Sequence, residues 1–458
     1  MGEMIERRCW WIVAGIAAIG LALRVAAAQG GLWLDEAWSA VMADQAGTPL
    51  AVILNINHDN NHHLNTLWLQ FVGIDAPPPL QRALSIATGT ASIFVAALIG
   101  ARRGVAAAIV AALLFALSPI LVTYGSEARG YAPMLLALLT AIALVDRWLA
   151  DPAAPPPATA LAIALLLGLL GNLTMLFGLA ALIAWAAVEL YRTRDAAGTL
   201  RPLARLLGPA TITTAIALAL ILLAANGRLA AGAVQPFSSA AFSHGLIQLL
   251  DYTLGDLTGL IALLVVAAAA PAGPRDRLAS FCALSVLAFP LAIALLQLPN
   301  AGNARYLLLA ATGLLVAVQI ALAPHAAHNS WHKWLAFAAL AVLLAFMLHR
   351  DWTVIRDHRA DPAQALAAIA ARAPTGAEAA VERTRSDAIL IAAAAAARYP
   401  LQVRQACPAA RFLFVERDGA EPFPAAPIRC DARYREIAGD TVQGLSGTQW
   451  KLYERSAR

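Results

Sequence analysis

Long apolar runs, separated by short polar connections, occupy most of the chain between residues 10 and 349. A run of about 20 apolar residues can cross the hydrocarbon core of a bilayer as a helix. The repeated pattern therefore predicts a polytopic α-helical membrane protein. Its eleven predicted spans are residues 10–28, 81–99, 104–122, 131–149, 158–172, 174–190, 209–225, 256–272, 278–297, 305–323 and 334–349.

The stretch 158–188 has no charged residue and can be divided in two ways. One helix over these residues would be about 46 Å long at 1.5 Å per residue. That is well beyond a hydrocarbon core of about 30 Å. Gly171-Asn172 is typical of a turn, so two helices are predicted.

Basic residues alternate in density from one connection to the next. Arg7-Arg8, Arg102-Arg103 and the arginines of 192–205 share one side of the predicted topology, and the other side holds isolated arginines. The positive-inside rule then places the N-terminus in the cytoplasm. With an odd number of spans, residues 350–458 lie on the outer side of the cell membrane. In a bacterium this is the periplasmic side of the inner membrane.

The composition changes at this last boundary. The chain as a whole is 60% hydrophobic, 13% charged and carries a net charge of +5. Its basic residues are dispersed between apolar runs, so nucleic acid is not an expected partner. Residues 350–458 are more polar, with a helical pattern at 366–372 and a strand pattern at 411–415. A transmembrane domain at 1–349 and a small extracytoplasmic α/β domain at 350–458 are therefore predicted.

Two of the four cysteines, Cys407 and Cys430, lie in the C-terminal domain. An oxidising compartment outside the membrane would favour a disulfide between them. Two free thiols are the alternative.

The unusual polar residues gather on the predicted outer side. The first outer loop, 29–80, contains Asp35 and Glu36, and later in the same loop His58 to Asn65. Ser126 to Tyr131 precedes the fourth span, and Asn300 to Tyr306 precedes the tenth. Carboxylates at a membrane surface are costly unless they are hydrated, paired or ligating something. Their convergence predicts a functional site at the outer boundary.

Each of these residues also has a simpler interpretation. Asp35 and Glu36 could cap the next helix, and Glu127 with Arg129 could form only an ion pair. His58 and His62 have the i, i+4 spacing of a helical metal site, but Asn60-Asn61 favours a loop between them. Only the combination of these motifs favours a functional site.

The order of the motifs resembles that of GT-C membrane glycosyltransferases, in particular the dolichyl-phosphate-mannose protein mannosyltransferase-like and aminoarabinose transferase-like group. Leu34-Asp-Glu-Ala-Trp38 is similar to the acidic motif of the first outer loop, and Asn61-His-His-Leu to an Asn-His-Pro-Leu segment. Ser126-Glu-Ala-Arg-Gly-Tyr131 and Arg305-Tyr306 are similar to two further segments. His63 replaces the family's proline, and Met175 stands where many members have histidine.

The resemblance implies an inverting glycosyltransferase that takes sugar from a polyprenyl-phosphate donor. A glycolipid, polysaccharide or protein hydroxyl would be the acceptor. Asp35 would act as general base, with Glu36 orienting it or binding the sugar. Arg129 and Arg305 would stabilise the leaving phosphate. The remaining substrate-binding candidates are His62, Glu127, Tyr131 and Tyr306.

Metal dependence and transport stay open at the sequence level. Asp35, Glu36 and Glu127 could hold Mg²⁺ or Mn²⁺, although some enzymes of this type work without a metal. The alternative function is a transporter or flippase for a lipid-linked or small solute. The polar residues gather at one surface instead of crossing the membrane, which favours the transferase.

Overall fold

The computed structural model describes residues 2–56, 62–193, 196–225, 235–255, 276–326 and 331–456. Most of the chain up to residue 357 is helical. The helices of this part are α1 Gly2–Ala27, α2 Leu34–Ala46, α3 Pro49–Leu54, α4 His63–Val72, α5 Pro78–Gln81, α6 Ala83–Ala101, α7 Val105–Leu117, α8 Pro119–Tyr124, α9 Tyr131–Ala150, α10 Ala158–Gly171, α11 Met175–Tyr191, α12 Ala196–Ala224, α13 Ser239–Leu254, α14 Leu278–Ala283, α15 Phe289–Leu295, α16 Leu308–Ala326 and α17 Trp331–Asp357.

Among the described residues, seven helical segments are long and apolar enough to cross a membrane, and the shorter α7, α10 and α11 are also apolar. Together they coincide with ten of the eleven predicted spans. The remaining prediction, 256–272, lies outside the described residues. The predicted division of 158–188 is confirmed, because α10 ends at Gly171 and α11 begins at Met175. The polytopic helical fold is thus confirmed.

The structure corrects three helix bounds. The predicted span 104–122 breaks at Ser118, because Pro119 follows and starts the short helix α8. The predicted span 209–225 is part of the longer α12, which continues through Pro202 and Pro209. The last helix runs to Asp357 instead of 349, since the apolar run ends before the helical backbone does.

Residues after 357 form the predicted small α/β domain. It contains α18 Ala363–Arg372, α19 Asp387–Ala397 and the strands β1 Ala377–Val381, β2 Leu401–Arg404, β3 Phe412–Arg417, β4 Ile428–Arg429, β5 Ala432–Asp440 and β6 Gln449–Arg455. The sheet order is β2-β1-β3-β6-β5-β4. β1 pairs in parallel with β2 and β3, and β3, β6, β5 and β4 pair antiparallel. Cys407 and Cys430 form a disulfide in this domain.

Helix α2, in the connection between α1 and α6, packs against the C-terminal domain. Its buried Ala37 and Ala40 belong to the same apolar cluster as Ile389, Phe414 and Trp450. A second, larger core lies between the membrane helices. Because burial of apolar surface is the main favourable term in such contacts, this cluster holds α2 to the C-terminal domain, and the pair of Glu36 with Arg82 links it to the start of α6. The first turn of α2, which carries both acids, therefore lies between the two parts.

Candidate active site between the membrane helices and the C-terminal domain

Glu36 is fixed at the start of α2 by a buried ion pair with Arg82. The Arg82 Nη2 atom lies 2.6 Å from Glu36 Oε2, Nε lies 2.9 Å from Oε1, and both side chains are fully buried. The other hydrogens of Arg82 go to the carbonyls of Ala28, Gln29, Gly30 and Gly31. Planar guanidinium geometry makes such bidentate pairing strong and directional.

The Glu36 carboxylate has two further donors. It accepts hydrogen bonds from the backbone N–H of Trp33 at 3.2 Å and of Ala128 at 2.6 Å. Burial would raise the pKa of Glu36, but Arg82, Arg359 and the Ala128 N–H hold it below its usual value. Glu36 thus links the start of α2 to the Ser126–Tyr131 segment, and its lone pairs are directed at protein donors.

Asp35, the neighbouring acid, has a different environment. Its Oδ2 atom lies 2.8 Å from Arg305 Nη1 and 3.3 Å from Arg129 Nη1, and 27% of the side chain is exposed. Desolvation opposes ionisation, but the two arginines outweigh it and keep the pKa of Asp35 below its usual value. One carboxylate oxygen is therefore shared by two cations at the edge of an open site.

Aromatic rings support both arginines. The guanidinium of Arg129 lies 5.9 Å from the ring centroid of Tyr131, and that of Arg305 lies 5.4 Å from the ring of Tyr306. Stacking of this kind favours the charged form and fixes the plane of the guanidinium. The Nε atoms of Arg129 and Arg305 are buried and have no hydrogen-bond partner among the described residues.

The Ser126–Tyr131 segment is held by backbone contacts on several sides. Ser85 Oγ donates to the Arg129 carbonyl at 2.8 Å, and Asn65 Nδ2 donates to the Ala128 carbonyl at 2.6 Å. Gly130 lies so close to the end of α10 that an added Cβ would be 1.7 Å from the Gly171 carbonyl oxygen. Only glycine permits this approach, which fixes the backbone beside Arg129.

His62 lies behind Tyr131, with the ring centroids 5.0 Å apart. Its Nδ1 atom accepts from the Gly130 N–H at 3.3 Å and from the Asn172 amide at 3.0 Å. The Gly171 carbonyl also lies 3.4 Å from Nδ1, but the two closer N–H donors place the proton of the neutral ring on Nε2, which is buried without a partner among the described residues. Burial and then the charge of Arg129 lower the pKa of His62 well below its usual value, so the ring is neutral.

Glu127 is fully buried beside Arg359, which follows the end of α17. The distance from Arg359 Nε to Glu127 Oε1 is 3.8 Å. Burial raises the pKa of Glu127 to about 7 against the opposing charge of Arg359. The guanidinium of Arg359 also donates to the Ala27 carbonyl at 2.6 Å and to Ser126 Oγ at 2.8 Å.

Arg359 is also part of the connection between the two domains. Residues His358, Arg359 and Ala360 all have positive φ, and the turn is closed by Trp450 Nε1, which donates to the Ala360 carbonyl at 2.6 Å. Thr448 Oγ1 accepts from the N–H of Leu34 at 2.9 Å. The C-terminal domain thus contacts the start of α2 directly.

The structure brings together most of the residues predicted from the sequence. Asp35, Arg305 and Tyr306 are partly exposed in the site, and Arg129 and Tyr131 are buried beside them. Glu36, Glu127 and His62 lie in its buried wall, and His58 lies outside the described residues. Sequence reasoning missed Arg82 and Arg359, since each appeared as an isolated arginine far from the acids in the chain.

The candidate metal ligands of the site are not arranged as a metal centre. In the part of the chain that the structure describes, no group of three His, Cys, Asp or Glu side chains is placed to hold a metal ion. Glu36 is directed at Arg82, and Asp35 at Arg129 and Arg305. The three carboxylates considered for Mg²⁺ or Mn²⁺ therefore do not fit one such ion in this arrangement.

Comparison with solved structures identifies the fold. ArnT from Cupriavidus metallidurans, in a crystal structure bound to undecaprenyl phosphate, matches with a TM-score of 0.55 and 13% sequence identity. The match covers 96% of this chain and 97% of that one. No protein-family model and no curated protein matches. The architecture is that of an ArnT-like GT-C membrane protein, which confirms the fold expected from the motifs.

Proposed function

We propose that this protein is an integral membrane glycosyltransferase. It transfers a sugar from a polyprenyl-phosphate donor to an acceptor hydroxyl on the outer face, with inversion at the anomeric carbon. The observation that carries the proposal is the open carboxylate of Asp35, shared by Arg129 and Arg305. The matching fold of ArnT, crystallised with undecaprenyl phosphate, supports a lipid phosphate as part of the donor.

The two arginines have the chemistry of a phosphate site. Their guanidinium groups carry fixed positive charge, face one point and lie on aromatic rings. A phosphodiester that leaves as a monoester gains negative charge in the transition state. Groups oriented toward that developing charge stabilise it without further reorganisation. Arg129 and Arg305 would bind the phosphate of the carrier and favour its departure.

Donor binding would also change Asp35. In the free protein the arginines lower its pKa, which makes it a weak base. A bound phosphate would neutralise part of their charge, so that the pKa of Asp35 rises toward the working range of a general base. Asp35 then accepts the proton of the acceptor hydroxyl. The acceptor oxygen bonds to the anomeric carbon while the bond from that carbon to the phosphate oxygen breaks.

A small apolar cleft, with a volume of about 10 Å³, lies in the membrane part beside Tyr306. It lies between α9, α11, α15 and the start of α16, and its walls include Met134, Met175, Phe177, Phe289 and Tyr306. A prenyl chain attached to a phosphate at the arginines would contact apolar side chains of this kind. Met175 contributes a flexible thioether here, in place of the histidine found in similar proteins.

Glu36 would act on the reaction through position. Its bonds to Arg82, Trp33 and Ala128 fix the first turn of α2 relative to the segment that carries Arg129. Small displacements of catalytic groups can cost large factors in rate. The neutral His62, with its unpartnered Nε2–H beside Tyr131, would donate a hydrogen bond to the sugar or phosphate.

The test is sugar release from radiolabelled polyprenyl-phosphate sugars in membranes that contain the full chain. Wild type should move label from one carrier to an acceptor. Asp35→Asn keeps the size of the side chain but removes the base, and should reduce transfer about 10²–10⁴-fold at equal protein level. Full activity of Asp35→Asn would contradict its role as base, and no transfer from any carrier would contradict the proposed function.

A further inference from the structure

The sheet of the C-terminal domain has a topological switch point. β3 lies beside β1 and parallel to it. From β1 the chain continues through α19 to β2 on one side, and β3 is bordered on its other side by β6. In open α/β sheets, ligands bind outside the carboxyl ends of the strands at such a point.

The residues at this point form a charged cluster, which we call the switch-point rim. It consists of Arg383 and Arg385 after β1 together with Glu416, Asp418 and Glu421 at the end of β3 and beyond. Arg383 Nη2 lies 2.6 Å from Glu421 Oε2, and Arg385 Nε lies 2.9 Å from Glu416 Oε1. Both arginines also pair with Asp418, whose side chain is 60% exposed.

Glu416 is the buried member of the switch-point rim. It is only 1% exposed, and one oxygen accepts from Arg385 and from Ser386 Oγ. The other oxygen, Oε2, is buried and has no hydrogen-bond partner within the described ranges. A buried carboxylate oxygen without a donor is costly, and a ligand hydroxyl that reached it would satisfy it.

The switch-point rim lies next to α2, the helix whose first turn carries Asp35. Helix α2, which begins at Leu34, packs against α19 and against the turn Thr384–Ser386. The positive charge of Arg385 is close enough to Asp35 to contribute to the lowering of its pKa. The rim therefore lies on the side of Asp35 that belongs to the C-terminal domain, whereas the apolar cleft lies on the membrane side.

The charge of the rim narrows the class of ligand. Two arginines stand against three carboxylates, so the rim carries no excess of positive charge and does not favour an anion. Planar carboxylates and guanidinium groups that are partly exposed can accept from and donate to several hydroxyls at once. This combination suits a polyhydroxylated headgroup without negative charge.

We propose that the switch-point rim binds the sugar headgroup of the acceptor and presents its hydroxyl to Asp35. The inference deepens the proposed function and rests on it for the role of the bound sugar. The donor enters from the membrane side with its lipid, and the acceptor binds from the C-terminal domain. The two substrates thus meet at α2.

The test measures ligand binding to the full-length protein in nanodiscs by saturation-transfer NMR. Hexyl glucoside serves as the neutral probe and hexyl phosphate as the anionic probe. Asp418→Asn and Arg385→Lys should each weaken binding of the glucoside about tenfold or more, since each removes a hydrogen bond to a charged group. Glu436→Gln, which breaks an exposed pair with Lys451 on the same sheet, should leave binding unchanged.

The two probes separate the two sites. Binding of hexyl phosphate should be insensitive to Asp418→Asn, because the phosphate belongs to Arg129 and Arg305. Glucoside binding that is absent, or equal in wild type and both rim variants, would overturn the proposal, as would loss of phosphate binding in Asp418→Asn. The assay contains no donor, so its failure is distinct from a failure of sugar transfer.

Discussion

Charged clusters occur at both ends of α6. At its C-terminal end, Asp146 of α9 accepts from Arg102 at 2.9 Å and from Arg103 at 2.9 Å. Arg103 also donates through Nη2 to Asp276 at 2.7 Å. The guanidinium of Arg103 is thus divided between two carboxylates, and both oxygens of Asp146 are occupied. We call these four residues the inner cluster.

At the N-terminal end of α6, some charged groups have all their hydrogen-bond partners and others do not. Arg82 and Glu36 form a fully paired set of charges, like the arginines and aspartates of the inner cluster. Asp35, the next residue, offers one oxygen to two arginines whose Nε atoms have no partner in the described part of the chain. Glu127 is fully buried, and Arg359 Nε lies 3.8 Å from its Oε1 atom, beyond hydrogen-bond distance.

The difference separates structural charges from functional ones. Buried polar groups in proteins are normally hydrogen-bonded, and the exceptions need a reason. In the inner cluster the pairing is complete, so its role in joining α6, α9 and α14 accounts for it. Around Asp35 the buried Nε atoms of Arg129 and Arg305 have no hydrogen-bond partner among the described residues, as in a site that is completed by its ligand.

Removing Arg82 from its buried pair with Glu36 should give the largest effect on stability. Arg82→Gln leaves the carboxylate of Glu36 buried without its main cation, which costs about 3–5 kcal/mol in comparable pairs. Arg102→Gln breaks a partly exposed pair worth about 1 kcal/mol or less. Thermal unfolding of both variants in the same detergent would check this. Equal melting temperatures would show that the Arg82 pair is no more important than a surface pair.

Glu127 should give a pH-dependent effect. Its pKa is about 7 in the folded protein and near 4.5 when exposed, so ionisation opposes folding. The penalty is absent below pH 4.5, grows between pH 4.5 and 7, and above pH 7 reaches roughly 3 kcal/mol.

Glu127→Gln removes that penalty at high pH. The variant should therefore melt at a higher temperature than wild type at pH 8, and the gain should shrink toward zero as the pH falls to about 4.5. Glu436→Gln, which changes an exposed acid, provides the control for the general effect of pH. A gain of the same size at both pH values would mean that Glu127 does not titrate as described.

Much of the fold could be predicted from the sequence because its physical signals are local. Apolar length alone indicated the spans, and the Gly171-Asn172 turn separated α10 from α11. The helical pattern at 366–372 and the strand pattern at 411–415 were confirmed as parts of α18 and β3. The end of α17 at Asp357 was missed, since polar residues continue a helix as readily as apolar ones.

The sequence indicated which residues form the site, but not which arginine pairs with which acid. The motifs named Asp35 and Glu36 together, and only the tertiary structure shows that Arg82 pairs with one and Arg305 with the other. Partners 46 and 270 residues away leave no local pattern. Arg359 was missed for the same reason, because it is distant from Glu127 in the sequence. Its position beside Glu127 depends on how the C-terminal domain docks.

The smallest expected effect concerns the geometry of the open site. Arg305→Lys keeps the positive charge but loses the planar fork and the stacking on Tyr306. Since Asp35 and Arg129 keep their places, the fold should be unaffected. Donor use, measured as kcat/KM for the lipid-linked sugar, should fall about tenfold, which corresponds to one charge-assisted hydrogen bond.

Arg102→Lys is the matched change in the inner cluster, where Arg102 donates to Asp146 through Nε. It should leave kcat/KM at the wild-type value, because its partner is complete with Arg103 alone. If both lysine variants lost the same activity, the two clusters would contribute to turnover in the same way. If neither lost any, charge alone at position 305 would be enough, and bidentate recognition of the phosphate by Arg305 would be contradicted.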